Sequence, residues 1–149
     1  MRSPLPLKKM EFERGDKVEV CSQEDGFLGS YYEARIISNL RNKRGLYVVQ
    51  YKNLLEDDES GPLIETVYSK EIRPLPPNIT NNTDGFSLFD WVDAFDNDGW
   101  WVGRITERKP DSDYYTVYFA YFGVEIAYPV STLRIHQEWF KGKWVKAKF

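Results

Sequence analysis

The chain has 149 residues, 42% of them apolar, which is enough for the core of one ordinary domain or two small ones and excludes a disordered tail. Twenty basic residues against 23 acidic ones leave a formal charge of -3, which removes the global attraction that non-specific nucleic-acid binding depends on. One cysteine, Cys21, and one histidine, His136, exclude an intramolecular disulfide and a Cys/His zinc cluster, so the fold is expected to stand on packing alone.

No apolar run approaches the roughly 18 residues of a membrane span, and Met1 to Met10 lacks the apolar stretch of a signal peptide. The chain reads as a soluble protein of a reducing compartment. In chain order, Lys17-Val18-Glu19-Val20 is a short alternating strand, followed by the turn signal Glu24-Asp25-Gly26. Gly29 to Ile36 and Tyr47 to Tyr51 are further segments rich in β-branched and aromatic residues. An acidic stretch from Asn53 to Glu65 follows, and Ile72-Arg73-Pro74 resumes the strand pattern. Pro74 to Gly85, with its prolines, asparagines and threonines, suits an extended or turn-rich connector, and its Asn-x-Thr sequons at Asn78 and Asn81 read as polar linker. Beyond it, strands recur at Val92 to Phe95, Trp100 to Ile105, Tyr115 to Phe119 and Leu133 to Ile135, with Asp96-Asn97-Asp98-Gly99 as a turn. No stretch holds a helical period over three turns.

The second series of strands repeats the first. Phe12-x-x-x-Asp16-x-Val18-Glu19-Val20 matches Phe86-x-x-x-Asp90-x-Val92-Asp93-Ala94, and Tyr31-Tyr32-Glu33-Ala34-Arg35-Ile36 matches Trp100-Trp101-Val102-Gly103-Arg104-Ile105. Tyr47 to Tyr51 matches Tyr115 to Phe119, and Ile72-Arg73-Pro74 matches Leu133-Arg134-Ile135. The offset shrinks from 74 at Phe12 and Phe86 to 61 at Arg73 and Arg134, so the copies differ mainly in loop length. The division expected is 10–77, a linker at 78–85, and 86–149. Four or five short strands in about sixty residues are too few for a sandwich and close into a small bent barrel. Two such units, each marginal in size, are expected to pack together.

An enzyme is not expected. His136 has no Ser or Cys partner in a recognisable nucleophile setting and reads as a surface or packing residue, while Cys21 reads as a small half-buried side chain at a strand end. There is no phosphate loop, dinucleotide fingerprint or metal-ligand spacing, so neither cofactor nor metal is expected. Aromatic content is the unusual feature: five Trp, ten Tyr and nine Phe make 16% of the chain. Most must fill the barrels, but acidic runs adjoin aromatic residues at strand ends. That pairing suits a cationic ligand, because a ring face attracts a diffuse cation by about 0.5–2 kcal/mol while a carboxylate supplies the opposing charge. Methylated ammonium suits it better than bare ammonium, since methylation lowers hydration without removing charge.

These stretches resemble the plant Agenet modules, Tudor-like barrels of the Royal superfamily arranged in tandem. The resemblance rests on Gly15 to Val20, Gly26 to Ile36, Tyr47 to Tyr51, Leu54 to Asp58, Ile72 to Pro74, Val92 to Ile105 and Leu133 to Trp139, and runs from Phe12 to Trp144. It implies an all-β fold of two packed barrels and a nuclear, monomeric, non-catalytic reader of methylated lysine. The tail implied is that of the third core histone, dimethylated at lysine nine. By correspondence with Tudor cages, the first copy supplies Phe27, Tyr31, Tyr32 and Tyr51, with Glu56, Asp57 and Asp58 facing neighbouring basic residues of the tail. The second supplies Phe95, Trp100 or Trp101, Phe119 and Tyr121, with Asp96 and Asp98 nearby. Adjacent aromatics point to opposite faces of a strand, so only one of each pair faces a given pocket. The resemblance implies that it is the residue two before the small Ala34 or Gly103, which corresponds to the Tudor cage wall and favours Tyr32 over Tyr31 and Trp101 over Trp100. The longer acidic loop places the expected site in the first copy. Two alternatives stay open: a single-stranded nucleic-acid (RNA) module, using Arg35, Arg41, Lys43 and Arg44 with Lys141, Lys143, Lys146 and Lys148, and a protein-interaction scaffold.

Overall fold

The alternating segments form strands whose apolar faces close over two separate cores. A computed structural model of the chain describes residues 11–21, 29–40, 45–77 and 85–146. The first copy comprises β1 (Lys17–Cys21), β2 (Ser30–Asn39), β3 (Leu46–Leu55), β4 (Pro62–Tyr68) and β5 (Ile72–Pro74). The second comprises β6 (Trp91–Asp96), β7 (Gly99–Arg108), β8 (Tyr114–Phe119), β9 (Val124–Pro129) and β10 (Leu133–Ile135). A hairpin unforeseen from the repeat, β11 (Gln137–Phe140) and β12 (Lys143–Lys146), follows. Among the described residues the only helical turns are two short 3-10 segments, and no helix is long and apolar enough to cross a membrane.

Each copy orders its strands antiparallel, β5-β1-β2-β3-β4 and β10-β6-β7-β8-β9. The long second strand of each carries a register shift at the same place, between Ile36 and Ser38 and between Ile105 and Glu107. An extra residue there bends the strand, which lets one strand serve both halves of a small barrel. The first core gathers Phe12, Val18, Val20, Tyr32, Ala34, Ile36, Tyr47, Val49, Tyr51, Val67 and Ile72; the second gathers Phe86, Val92, Ala94, Ile105, Tyr115, Val117, Phe119, Tyr128 and Leu133. Trp101 packs against both cores.

The barrels join where the starts of β2 and β7 pair, Ser30 opposite Trp101 and Tyr31 opposite Trp100, making one ten-stranded sheet. Gly99 lies at this seam because a Cβ there would come within 2.6 Å of the Tyr32 ring. The expectation that packing alone holds the fold is corrected here. Glu19 and Asp93 point away from the two cores, into the seam, and are 1% and 0% exposed. Glu19 accepts from Arg73 Nη2 at 2.8 Å and from Arg134 Nη1, across the seam, at 2.8 Å. Arg134 Nε donates to Asp93 at 2.7 Å. His136, read from the sequence as a surface or packing residue, is buried, with Nδ1 2.7 Å from Asp93 and Nε2 2.6 Å from Glu138. Burial pushes the imidazole down, but hydrogen bonds and the charges of Asp93 and Glu138 outweigh it and lift its pKa to about 9, so it is cationic at neutral pH. The Arg73 guanidinium lies 3.5 Å from the Tyr31 ring centre and that of Arg134 lies 4.1 Å from Trp100, so each buried cation rests on an aromatic face.

Candidate functional site

The second barrel opens at the end of β8 into an aromatic pocket. Alternation along β7 turns Trp101 to the core side and Trp100 to the seam, as the period-two reading requires. Phe119 closes β8, Phe122 sits in the following turn, and Val124, Ile126 and Tyr128 project together from β9. With Asp96 and Asn97 they line a cavity of about 390 Å³. The rings meet edge to face: Phe119 and Tyr128 at 6.0 Å and 84°, Trp101 and Phe122 at 5.8 Å and 61°. Gly103 permits this, since a Cβ there would lie 2.4 Å from Val117 and 3.0 Å from the Phe119 ring.

Asp96 holds the pocket's polar side. Its backbone carbonyl accepts from Trp101 Nε1 at 2.8 Å, and its Oδ2 accepts from the Tyr128 hydroxyl at 2.7 Å. Burial first, and then this hydrogen bond and the carboxylate's charge, push the Tyr128 phenol up, so it stays a neutral donor. The two anchors hold two rings in place, and among the described residues no hydrogen bond engages Oδ1 of Asp96. The arrangement suits a partly methylated ammonium, with rings for the methyl groups and charge and a carboxylate for the remaining proton.

Of the residues expected in the first copy, Tyr32 and Tyr51 come together, 6.5 Å apart at 88°, and Tyr32 continues edge to face into Trp101 at 6.4 Å. Both are buried, with Leu54 and Leu63 packed against the same core. Where β9 places Tyr128 opposite Tyr115, β4 places Val67 opposite Tyr47. Phe27 lies outside the described residues. Tyr31 faces the seam beneath Arg73, away from Tyr32, and burial raises its phenol. Glu56, Asp57 and Asp58 lie in the turn between β3 and β4, where Glu56 accepts from Ile64 N at 3.1 Å and Asp58 from Ser60 N at 3.0 Å. Those bonds to Ser60 hold the Asp58 carboxyl below its ordinary pKa.

In the second copy, Trp101 and Phe119 share the pocket. Phe95 does not join them: it lies across the β6 strand from Ala94, packs on Trp100 at 5.1 Å, and lines the cleft between the barrels with Arg134 and Glu19. Tyr121 stands at the rim, 55% exposed, against Phe122 at 5.1 Å. The sequence placed Asp96 near these rings but did not point to Phe122, to Tyr128 or to the bonds by which Asp96 holds Trp101 and Tyr128. The i, i+2, i+4 row Val124, Ile126, Tyr128 beside an aromatic turn was the available signal. Burial also pushes the Cys21 thiol up, away from nucleophilic reactivity.

With this geometry in hand, the relatives are informative. The family model of the Agenet domain matches residues 15–77. The Arabidopsis thaliana protein AGENET DOMAIN (AGD)-CONTAINING P1 is 38% identical over 145 residues, covering 97% of this chain and 27% of that protein. DUF724 domain-containing protein 3, also from Arabidopsis thaliana, is 36% identical over 146 residues, covering 95% and 21%. The chain thus spans about a quarter of the length of these curated relatives. Among solved structures, Arabidopsis thaliana AGDP1 AGD34 superposes with a TM-score of 0.84 at 32% identity, covering 91% of this chain and 90% of that one. The ADCP1 tandem Agenet domain 3-4 superposes at 0.80 with 28% identity, covering 92% and 89%. Agenet domains are protein-interaction modules, and by sequence, barrel architecture and tandem arrangement alike this chain belongs to the Agenet family.

Proposed function

We propose that the chain, divided as 10–77, 78–85 and 86–149, is a non-catalytic nuclear reader of methylated lysine in a histone H3-type N-terminal tail, acting as a monomer. The observation that carries this is the pocket of about 390 Å³ in which Trp101, Phe119, Phe122 and Tyr128 surround the Asp96 carboxylate. The site is thereby assigned to the second barrel rather than the first, where Tyr32 and Tyr51 belong to a core with Leu54 and Leu63 packed against it. The Asp96 oxygen that no hydrogen bond engages among the described residues favours a ligand that retains an N–H, hence mono- or dimethyl-lysine over trimethyl-lysine. Dimethylated lysine nine of the third core histone is the best single guess. The acidic turn at Glu56, Asp57 and Asp58 is assigned to unmodified basic residues of the tail.

Calorimetric titration with tails that are unmodified or mono-, di- or trimethylated at lysine nine, at one salt concentration, tests the reading. A di- or monomethyl preference that is lost in Phe122→Ala supports it; equal binding of all four tails would reduce the site to an acidic surface. A second reading has its own observation: the β11–β12 hairpin presents Lys141 and Lys143 beside Phe140, which is 59% exposed. Single-stranded RNA binding there would ignore methylation and weaken steeply with salt.

A further inference from the structure

The reader assignment leaves open how the residues around the methylated lysine are held, and the pocket's own strand supplies an answer. Among the described residues β9 has β8 as its only ladder partner, so its other edge is open. The bond from Val130 N to Asp113 O fixes the alternation of the ladder. Pairs alternate between bonded and non-bonded, so Tyr128, Ile126 and Val124 bond inward to β8, while Glu125 and Ala127 turn their N–H and C=O groups to the open edge. Both residues are exposed. Sheet edges are ordinarily blunted by lysine, proline or a bulge. From Val124 to Tyr128 this edge has none of them, proline entering only at the strand's last residue, Pro129; its register is unbroken, and Val124 and Ile126 are 42% and 40% exposed. The matching strand of the first copy is blunted: β4 begins at Pro62, carries Glu65 where β9 has Ile126, and has a register shift against β3.

We propose that an extended cationic peptide adds as a strand to the open edge of β9, setting its methylated lysine into the ring pocket beside Tyr128 and small or apolar side chains two and four residues away against Ile126 and Val124. This rests on the reader assignment above. The spacing follows from the geometry of the added strand, whose every second side chain falls on the pocket face of the sheet. Charge selects the occupant: residues 119–132 contain no lysine or arginine, Glu125 lies on the edge strand and Asp96 lines the pocket. Main-chain hydrogen bonds supply affinity and the alternate side chains supply selectivity, so the site takes a sequence context and not a methylated lysine alone.

The test compares two probes on the full chain by NMR: Nα-acetyl-dimethyl-lysine amide, which reaches only the pocket, and a flexible peptide with dimethyl-lysine flanked by alanine or valine two and four residues away. The peptide is expected to bind at least tenfold more tightly than the amide, and to slow hydrogen exchange at the Glu125 and Ala127 amides at least tenfold. Backbone N-methylation of the peptide's edge-facing amides, or Ala127→Pro, which removes an outward N–H, should abolish the peptide's advantage and leave amide binding unchanged. Equal affinity of the two probes, or unprotected Glu125 and Ala127 amides in the bound state, would overturn strand addition while leaving the pocket assignment standing. If neither probe binds, the pocket assignment fails and strand addition falls with it.

Discussion

In both barrels a tyrosine hydroxyl accepts from the backbone at the entry to the fold, Tyr47 from Phe12 N and Tyr115 from Phe86 N, each at 3.2 Å. In both, an aspartate closes the turn that follows, Asp16 onto Glu13 N and Asp90 onto Ser87 N, each at 2.8 Å. The open ends differ. The first barrel has Val67 where the second has Tyr128, and Ala34 where the second has Gly103; Leu54 lies three residues past Tyr51 as Phe122 lies three past Phe119. Aliphatic side chains pack against the core in one copy; in the other, rings stand at two of the matching positions, and the missing Cβ at Gly103 makes room for the Phe119 ring. Backbone ladders tolerate such exchanges, so a duplicated barrel is able to keep its frame and change what one end does.

Breaking what the copies share should have the largest effect. Glu19→Ala leaves Arg73 and Arg134 buried without their carboxylate and is expected to destabilise the chain by about 3–5 kcal/mol in a denaturant titration, with both barrels affected. Glu33→Gln, in a pair whose Lys52 end is largely exposed, should cost less than about 1 kcal/mol by the same measurement.

The seam also carries a pH dependence. His136 has its pKa raised from an ordinary 6.5 to about 9, so its contribution is fully present below pH 6.5 and is lost as pH rises through 9. Glu138 is lowered from 4.5, chiefly by its hydrogen bond to His136, so its contribution is present above pH 4.5 and is lost on further acidification. Stability measured by thermal melts should therefore plateau between pH 4.5 and 6.5 and fall by roughly 3 kcal/mol towards pH 10. A flat profile from pH 6.5 to 10 would show that the buried imidazole is neutral.

Smaller effects sharpen the contrast between the open ends. Gly103→Ala should cost about 1–3 kcal/mol by overpacking against Val117 and Phe119, and should lower affinity for methylated peptide because Phe119 is displaced; Ala34→Gly in the first barrel should leave affinity unchanged. Phe122→Ala, at a side chain 46% exposed, should leave the melting temperature nearly unaltered while weakening the peptide by about 0.5–2 kcal/mol. Equal losses from the matching change Leu54→Ala would return the site to the first barrel.

Much of this was legible in the amino-acid sequence because the information is local. Alternation located the strands, repetition pointed to two barrels, and the family resemblance, through the small residue two positions after Tyr32 and after Trp101, pointed to these two rings as equivalent. The fate of the opposite face was not legible. Glu19 between Val18 and Val20, and Asp93 between Val92 and Ala94, have the pattern of solvent-facing residues on half-buried strands. They are buried because the other barrel lies against them, and whether a face meets water or another domain is not encoded in its period. The site proposed above lies in the other copy from the one expected, for a related reason. An acidic loop beside aromatic residues looks alike in both copies, but a cage is a hole, and a hole depends on whether residues distant in the chain fill it. Sequence alone determined the strands, the duplication and the family; tertiary packing decided which barrel is filled, which is open, and which charges are hidden between them.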